Sequence, residues 1–136
     1  MNKKQCSSSK IQKLNFNMIY SHVSLPKKYK RRHIYTMRNG GCVFYNMVLS
    51  GYIPKLNKKF GIEISGIGLS KDDISKYMND KYTIVPCKNK YYIIEISMRD
   101  TNEKPIQRYN FYYKHFDIPK KVYNSLIIKM NELTKQ

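Results

Sequence analysis

Six cations fall within the twelve residues from Lys27 to Arg38, namely Lys27, Lys28, Lys30, Arg31, Arg32 and Arg38, with Tyr29 and Tyr35 interleaved. Ammonium and guanidinium groups in such a run neutralise backbone phosphates, and the phenols stack on bases or hydrogen-bond a phosphate. Lys55, Lys58 and Lys59 extend the same one-sign stretch. No Asp or Glu precedes Glu63, whereas thirteen Lys and Arg do. An ordinary solvated face mixes both signs, because a one-sign surface repels itself. An acid-free run of this length asks for a polyanion, and a nucleic-acid backbone is the commonest one. A surface loop kept for solubility and a contact with an acidic protein are the competing readings. Base specificity has no visible carrier: Arg numbers five, and no helix shows Arg, Asn or Gln along one face. DNA and RNA suit the charge equally.

A second chemistry is thiol-based. Cys42 follows Gly40 and Gly41 at what the spacing of Val43, Phe44, Met47 and Val48 marks as a helix start, and His115 lies on an expected strand far downstream. A helix N-terminus favours the thiolate, and an imidazole completes a nucleophile–base pair. The Asn39 to Leu49 stretch resembles the nucleophile segment of bacteriocin-processing cysteine peptidases, which implies a small papain-like hydrolase using Cys42 and His115. It departs from them in lacking a Gln just upstream of Cys42 and an Asp- or Asn-bearing strand after His115. A free Cys is more often a small buried hydrophobe, so Cys42 is expected to face the core and the chain to be no enzyme. Cys6, Cys42, Cys87, His22, His33 and His115 show no metal-ligand spacing, so neither metal nor cofactor is expected. Asp72 and Asp73 suit a helix start better than acid–base work. Gly61, Gly66 and Gly68 lack the Gly-Lys-Ser/Thr of a phosphate loop.

The chain that must position these groups has 136 residues and a net charge of +17, enough for one domain with a real core. It is rich in Lys, Asn, Ile and Tyr and has no Ala or Trp, a bias toward A/T-rich codons that leaves the missing acids unexplained. Most of the thirteen Tyr are expected to be half-buried strand residues. An odd cysteine count without CxxC argues for a reducing compartment. With no apolar run near 18 residues and no hydrophobic leader, a cytoplasmic or virion location off the membrane is expected.

Leu14, Phe16, Met18 and Tyr20 alternate as in a strand that Pro26 would end. Ile34 to Met37 forms a short strand, and Cys42 to about Leu49 a short helix closed by Gly51 and Pro54. Gly61 to Ile67 is β-rich but broken by glycines. Ser70 opens a helix through Asp80 that buries Ile74, Tyr77 and Met78. Tyr82 to Cys87, Tyr91 to Met98 and Ile106 to Phe116 make an antiparallel meander. Pro119 opens a last helix with Val122, Leu126, Met130 and Leu133 on one stripe beside Tyr123 and Ile127. The expected fold class is α+β: an antiparallel β-meander packed against a C-terminal helix, with a basic N-terminal arm over 1–40 and a single α+β domain over 41–136.

Gly61-Ile62-Glu63-Ile64-Ser65-Gly66-Ile67-Gly68 resembles the strand and turn of HU/IHF-type DNA-bending proteins. Tyr113 to Lys121 is similar to the end of their last strand and the start of their C-terminal helix. The turn from Arg99 to Pro105 then stands where that family has its DNA-embracing arm. The match departs at the spacing of Phe116 and Pro119, at the helix after the glycines, and over residues 1–40. The resemblance implies a dimer or ring on DNA, a fold also used for structural rings in phage particles.

Together these features lead to the expectation of a non-catalytic basic protein on a nucleic-acid backbone. It would be an oligomeric structural or assembly component of a phage or virus particle, contacting neighbouring protein subunits. The nucleic-acid contacts fall to Lys27, Lys28, Tyr29, Lys30, Arg31, Arg32, Tyr35, Arg38, Lys55, Lys58 and Lys59.

Overall fold

Alternation with a period of two runs unbroken from Cys42 to Gly51: Val43, Tyr45, Met47, Leu49 and Gly51 are buried and the residues between them are not. This is a strand, not the expected short helix. Val43, Phe44, Met47 and Val48 satisfy helical spacing, but Val, Phe and Tyr fit a pleated, half-buried surface better. The computed structural model describes residues 19–28, 35–36, 42–54, 56–68, 71–88, 90–102, 107–108, 113 and 116–134.

The elements in chain order are β1 (Ile19–Lys28), β2 (Tyr35–Thr36), β3 (Cys42–Ile53), β4 (Lys58–Gly68), α1 (Lys71–Ile74), β5 (Tyr82–Cys87), β6 (Lys90–Asp100), β7 (Gln107–Arg108) and α2 (Lys120–Leu133). One antiparallel sheet has the order β5-β6-β4-β3-β1-β7, with β2 also on β3. The fold is α+β, with the C-terminal helix packed on an antiparallel sheet. Two hairpins, β3–β4 and β5–β6, join through β4 and β6. The expected third run of the meander, Ile106 to Phe116, is not the neighbour of β6. Its described part is β7, which pairs with β1, and a turn closed by Phe116 N–H to the Tyr113 carbonyl at 2.9 Å. Strands β1 and β2 come from the basic segment 1–40 and pair with β3. Pro26 lies within β1, at a register irregularity between Ser24 and Lys27, where a missing N–H interrupts no regular ladder.

The β3–β4 hairpin turns over Pro54 to Asn57. Leu56 N–H reaches the Ile53 carbonyl at 3.1 Å, and Asn57 N–H the Pro54 carbonyl at 3.2 Å. Asn57 takes the left-handed conformation at φ 54°, which Asn tolerates better than most residues. The Tyr52 hydroxyl donates to the Asn57 side-chain oxygen and ties the turn to the strand. Strand β4 continues through all three of its glycines. Pro86 is exposed on the edge strand β5, and a proline there blunts further strand addition.

Helix α2 covers one sheet face. Val122, Tyr123, Leu126, Ile127 and Met130 pack into a cluster with Leu49, Phe60, Ile62, Ile64 and Ile94. The stripe read from the sequence is therefore the docked face, with Leu133 only half-buried. Pro119 is the N-cap residue, one position earlier than expected. The other face is covered at one end by a smaller cluster of Val43, Ile67, Ile74 and Ile93. Helix α1 is shorter than expected, passing at Ser75 into a 3-10 turn that ends at Tyr77. Ile74 is buried and Tyr77 half-buried, but Met78 is 71 % exposed because the helix ends before Met78 could face inward.

Candidate nucleic-acid interface

Antiparallel register decides which cations meet. Lys27 and Lys28 stand opposite Asn46 and Tyr45 at one end of β3, near the Tyr35–Val43 pair. Lys58 and Lys59 stand opposite Ile53 and Tyr52 at the other end. Six residues separate Asn46 from Tyr52, roughly 20 Å along a strand. The expected site is therefore split between two poles of the sheet. Tyr29, Lys30, Arg31, Arg32, Arg38 and Lys55 lie outside the described residues.

The second pole gathers cations from segments remote in sequence. Reading across the strands in register, Arg108 on β7 faces Ile19 on β1, Ile19 faces Tyr52 on β3, Tyr52 faces Lys59 on β4, and Lys59 faces Arg99 on β6. Register partners share a face, so Tyr52, Lys59 and Arg99 belong to the face opposite α2, since Phe60 and Ile62 point to the α2 side. Arg99 and Arg108 were not among the expected site residues, since only cross-strand register aligns them with Lys59. One row further in, Ser50, Gly61 and Ser97 are partners on the same three strands. These rows line a cleft of about 280 Å³ bounded by Ser50, Gly51, Lys59, Gly61, Ser97 and Arg99.

Beyond the serines the same face turns acidic. Glu63 and Glu95 are register partners, a like-charged pairing that needs compensation. Asn46 donates to Glu63 at 3.2 Å, and Lys81 pairs with Glu95 at 3.4 Å. The Lys81 ammonium also lies 5.4 Å from the Tyr82 ring centre. The hydrogen bond and charge of Glu95 push the Lys81 pKa up.

The tyrosines with described side chains serve the fold. Tyr45, Tyr52 and Tyr123 are buried, while Tyr77, Tyr82, Tyr91, Tyr92 and Tyr113 are half-buried. Tyr123 sits between Tyr113 and Phe116, each ring centre 5.2 Å away, and the Tyr113 hydroxyl donates to the Ile118 carbonyl at 2.7 Å just before α2. Burial pushes the Tyr45 phenol up to about 12; the nearby Asp117 amide opposes the shift and the Asp117 carboxylate adds to it. Tyr77 and Tyr92 are raised chiefly by burial as well. Tyr35, opposite Val43 on β2, keeps a position at the first pole.

The helix start expected at Cys42 is a strand. Cys42 opens strand β3 and is exposed, so it neither sits at a helix N-terminus nor faces the core. His115 lies outside the described residues. Among the described residues no three His, Cys, Asp or Glu side chains converge as metal ligands, and no helix is long and apolar enough to cross a membrane. Comparison of the chain with known protein families, with curated proteins and with solved structures finds no match.

Proposed function

We propose that this is a non-catalytic nucleic-acid-binding protein that holds the sugar–phosphate backbone with little base specificity. The observation that carries this reading is the one-sign charge: thirteen cations and no acid before Glu63. From Glu63 onward, acids and bases interleave, and several cations are engaged within the fold, such as Lys81 with Glu95, Lys129 with Glu132, and Lys90 over the Phe44 ring. The excess charge thus belongs to the N-terminal segment and its partner strands. Lys27 and Lys28 at one pole and Lys58 and Lys59 at the other give that segment two anchoring points on the sheet.

The protein acts in this reading as an oligomeric structural or assembly component of a phage or virus particle. Small size and an unbalanced basic arm suit threading between neighbouring subunits and packaged nucleic acid. The resemblance to HU/IHF-type proteins points the same way, toward a dimer or ring on DNA. Fluorescence anisotropy of the full chain with labelled duplex DNA, duplex RNA and single strands of unrelated sequence tests this. Comparable affinities across sequences are expected, with larger species on size exclusion. Absence of binding to all of them at low salt would transfer the charge to an acidic protein partner.

A further inference from the structure

We infer that Lys88, Lys90, Lys120 and Lys121 form a second backbone-contacting surface at the sheet end where α2 starts, an inference that takes its partner from the nucleic-acid reading above. The acids from Glu63 onward are shared unevenly between the two faces. Glu63 and Glu95 lie on the face opposite α2, and α1 brings Asp72 and Asp73 to that face through Ile74. On the α2 side of this sheet end, Asp117 is the acid among the described residues. The four lysines are exposed, and among the described residues none of them makes an ion pair.

Register and ring contacts bring the four together. Tyr45, Gly66 and Tyr92 are partners across β3, β4 and β6, and Cys87 faces Lys90 at the tip of the β5–β6 hairpin. The Lys90 ammonium stands 4.7 Å from the Phe44 ring centre, and that ring meets Tyr92 at 5.5 Å. Such a contact fixes an ammonium without neutralising it. The Tyr92 and Tyr45 ring centres are 6.1 Å apart, Tyr45 lies beside Asp117, and α2 begins three residues later at Lys120. Lys28 stands opposite Tyr45, which puts it three strand spacings from Tyr92, roughly 14 Å. The N-terminal pole with Lys27 and Lys28 therefore shares one end of the sheet with these lysines.

Local structure gives no reason for lysine at three of these positions. Lys88 holds the left-handed conformation at φ 58°, which Asn or Gly adopts with less strain. Lys120 and Lys121 occupy the first turn of α2, where the helix dipole opposes cations and favours acids. No acid stands in that turn and no side chain caps it. Codon bias does not supply the reason either, since Asn codons are as A/T-rich as those of Lys. A polyanion along this end of the sheet does, because each phosphate it places there favours an ammonium over any neutral residue.

Fluorescence anisotropy of the full chain on mixed-sequence duplex DNA, measured across a salt series, tests the surface. Lys120→Gln with Lys121→Gln should make the slope of log K against log salt shallower by at least about 0.9, one phosphate contact. Lys76→Gln with Lys129→Gln removes the same charge elsewhere and should leave the slope unchanged. Lys88→Asn should weaken binding at fixed salt. In Lys88→Asn and in Lys120→Gln with Lys121→Gln the urea midpoint should hold or rise. A lowered midpoint would mean that these lysines serve the fold, and overturns the surface. An equal change of slope in both double variants would mean that only net charge counts, and overturns it too. A slope unmoved by Lys120→Gln with Lys121→Gln but flattened by Lys27→Gln with Lys28→Gln removes the surface and leaves the nucleic-acid function standing. No binding of the wild type to duplexes or single strands at low salt removes both.

Discussion

The ring of Phe44 lies directly on Gly66, with ring carbons 2.7–2.8 Å from where a Cβ at that position would stand. A register irregularity between Val43 and Tyr45 puts Phe44 there, and its ring meets Tyr92 edge-on at 5.5 Å with the Lys90 ammonium 4.7 Å from its centre. Gly66→Ala must displace that ring. A cost of about 1–3 kcal/mol is expected, read by urea denaturation. Phe44→Ala combined with Gly66→Ala should be less destabilising than the two single losses added together. Simple additivity would show that the ring does not use the glycine.

Helix α2 is held by side chains with no exposed surface: Val122, Leu126 and Met130 are each 0 % exposed. Leu126→Ala should cost about 2–5 kcal/mol in denaturant, and Leu126→Asp should unfold the domain, since an unpaired carboxylate would be placed in an apolar core. A wild-type melting curve for Leu126→Asp would mean that the helix is not docked.

Strands β5 and β6 and helix α2 were legible in the sequence because each has one dominant signal. Pro119 followed by a 3.6-residue apolar stripe fits only a helix, and Tyr82 to Cys87 fits only a strand. Cys42 to Ile53 was ambiguous because its apolar residues satisfy both periods, and only pairing with β1 and β4 resolves it. Met78 was misplaced because no local signal marks where α1 gives way to a 3-10 turn. In the site, Lys58 and Lys59 were visible as charge. Arg99 and the two serines were not, because they reach Lys59 through strand register, which a single sequence does not encode.

Alkaline titration tests the burial of Tyr45. Its phenol pKa is raised by burial to about 12 from the ordinary value of 10.0, so the folded state favours the neutral phenol. The resulting stabilisation is fully present below pH 10 and is lost as pH climbs toward 12. Denaturant midpoints measured from pH 9 to 12 should fall over that window, and Tyr45→Phe should fall less steeply. Equal slopes for both proteins would show that Tyr45 titrates freely in the folded state.

Cys42 is exposed and Cys87 half-buried. Iodoacetamide should therefore alkylate Cys42 faster than Cys87 in the folded protein, at a rate indifferent to His115→Ala, and Cys42→Ser should bind nucleic acid as the wild type does. A labelling rate that collapses in His115→Ala would indicate a nucleophile–base pair and a hydrolase.

The central claim is that the excess charge serves a polyanion, and the salt dependence of binding tests it most directly. Backbone binding releases about 0.9 counterion per duplex phosphate neutralised. Plotted as log K against log salt for the full chain on mixed-sequence duplex DNA, about five contacts give a straight line of slope about −4.5. Replacing Lys27 and Lys28 together by Gln should make that slope shallower by about 1.8. A slope near zero, or one unmoved by that double substitution, would contradict the account.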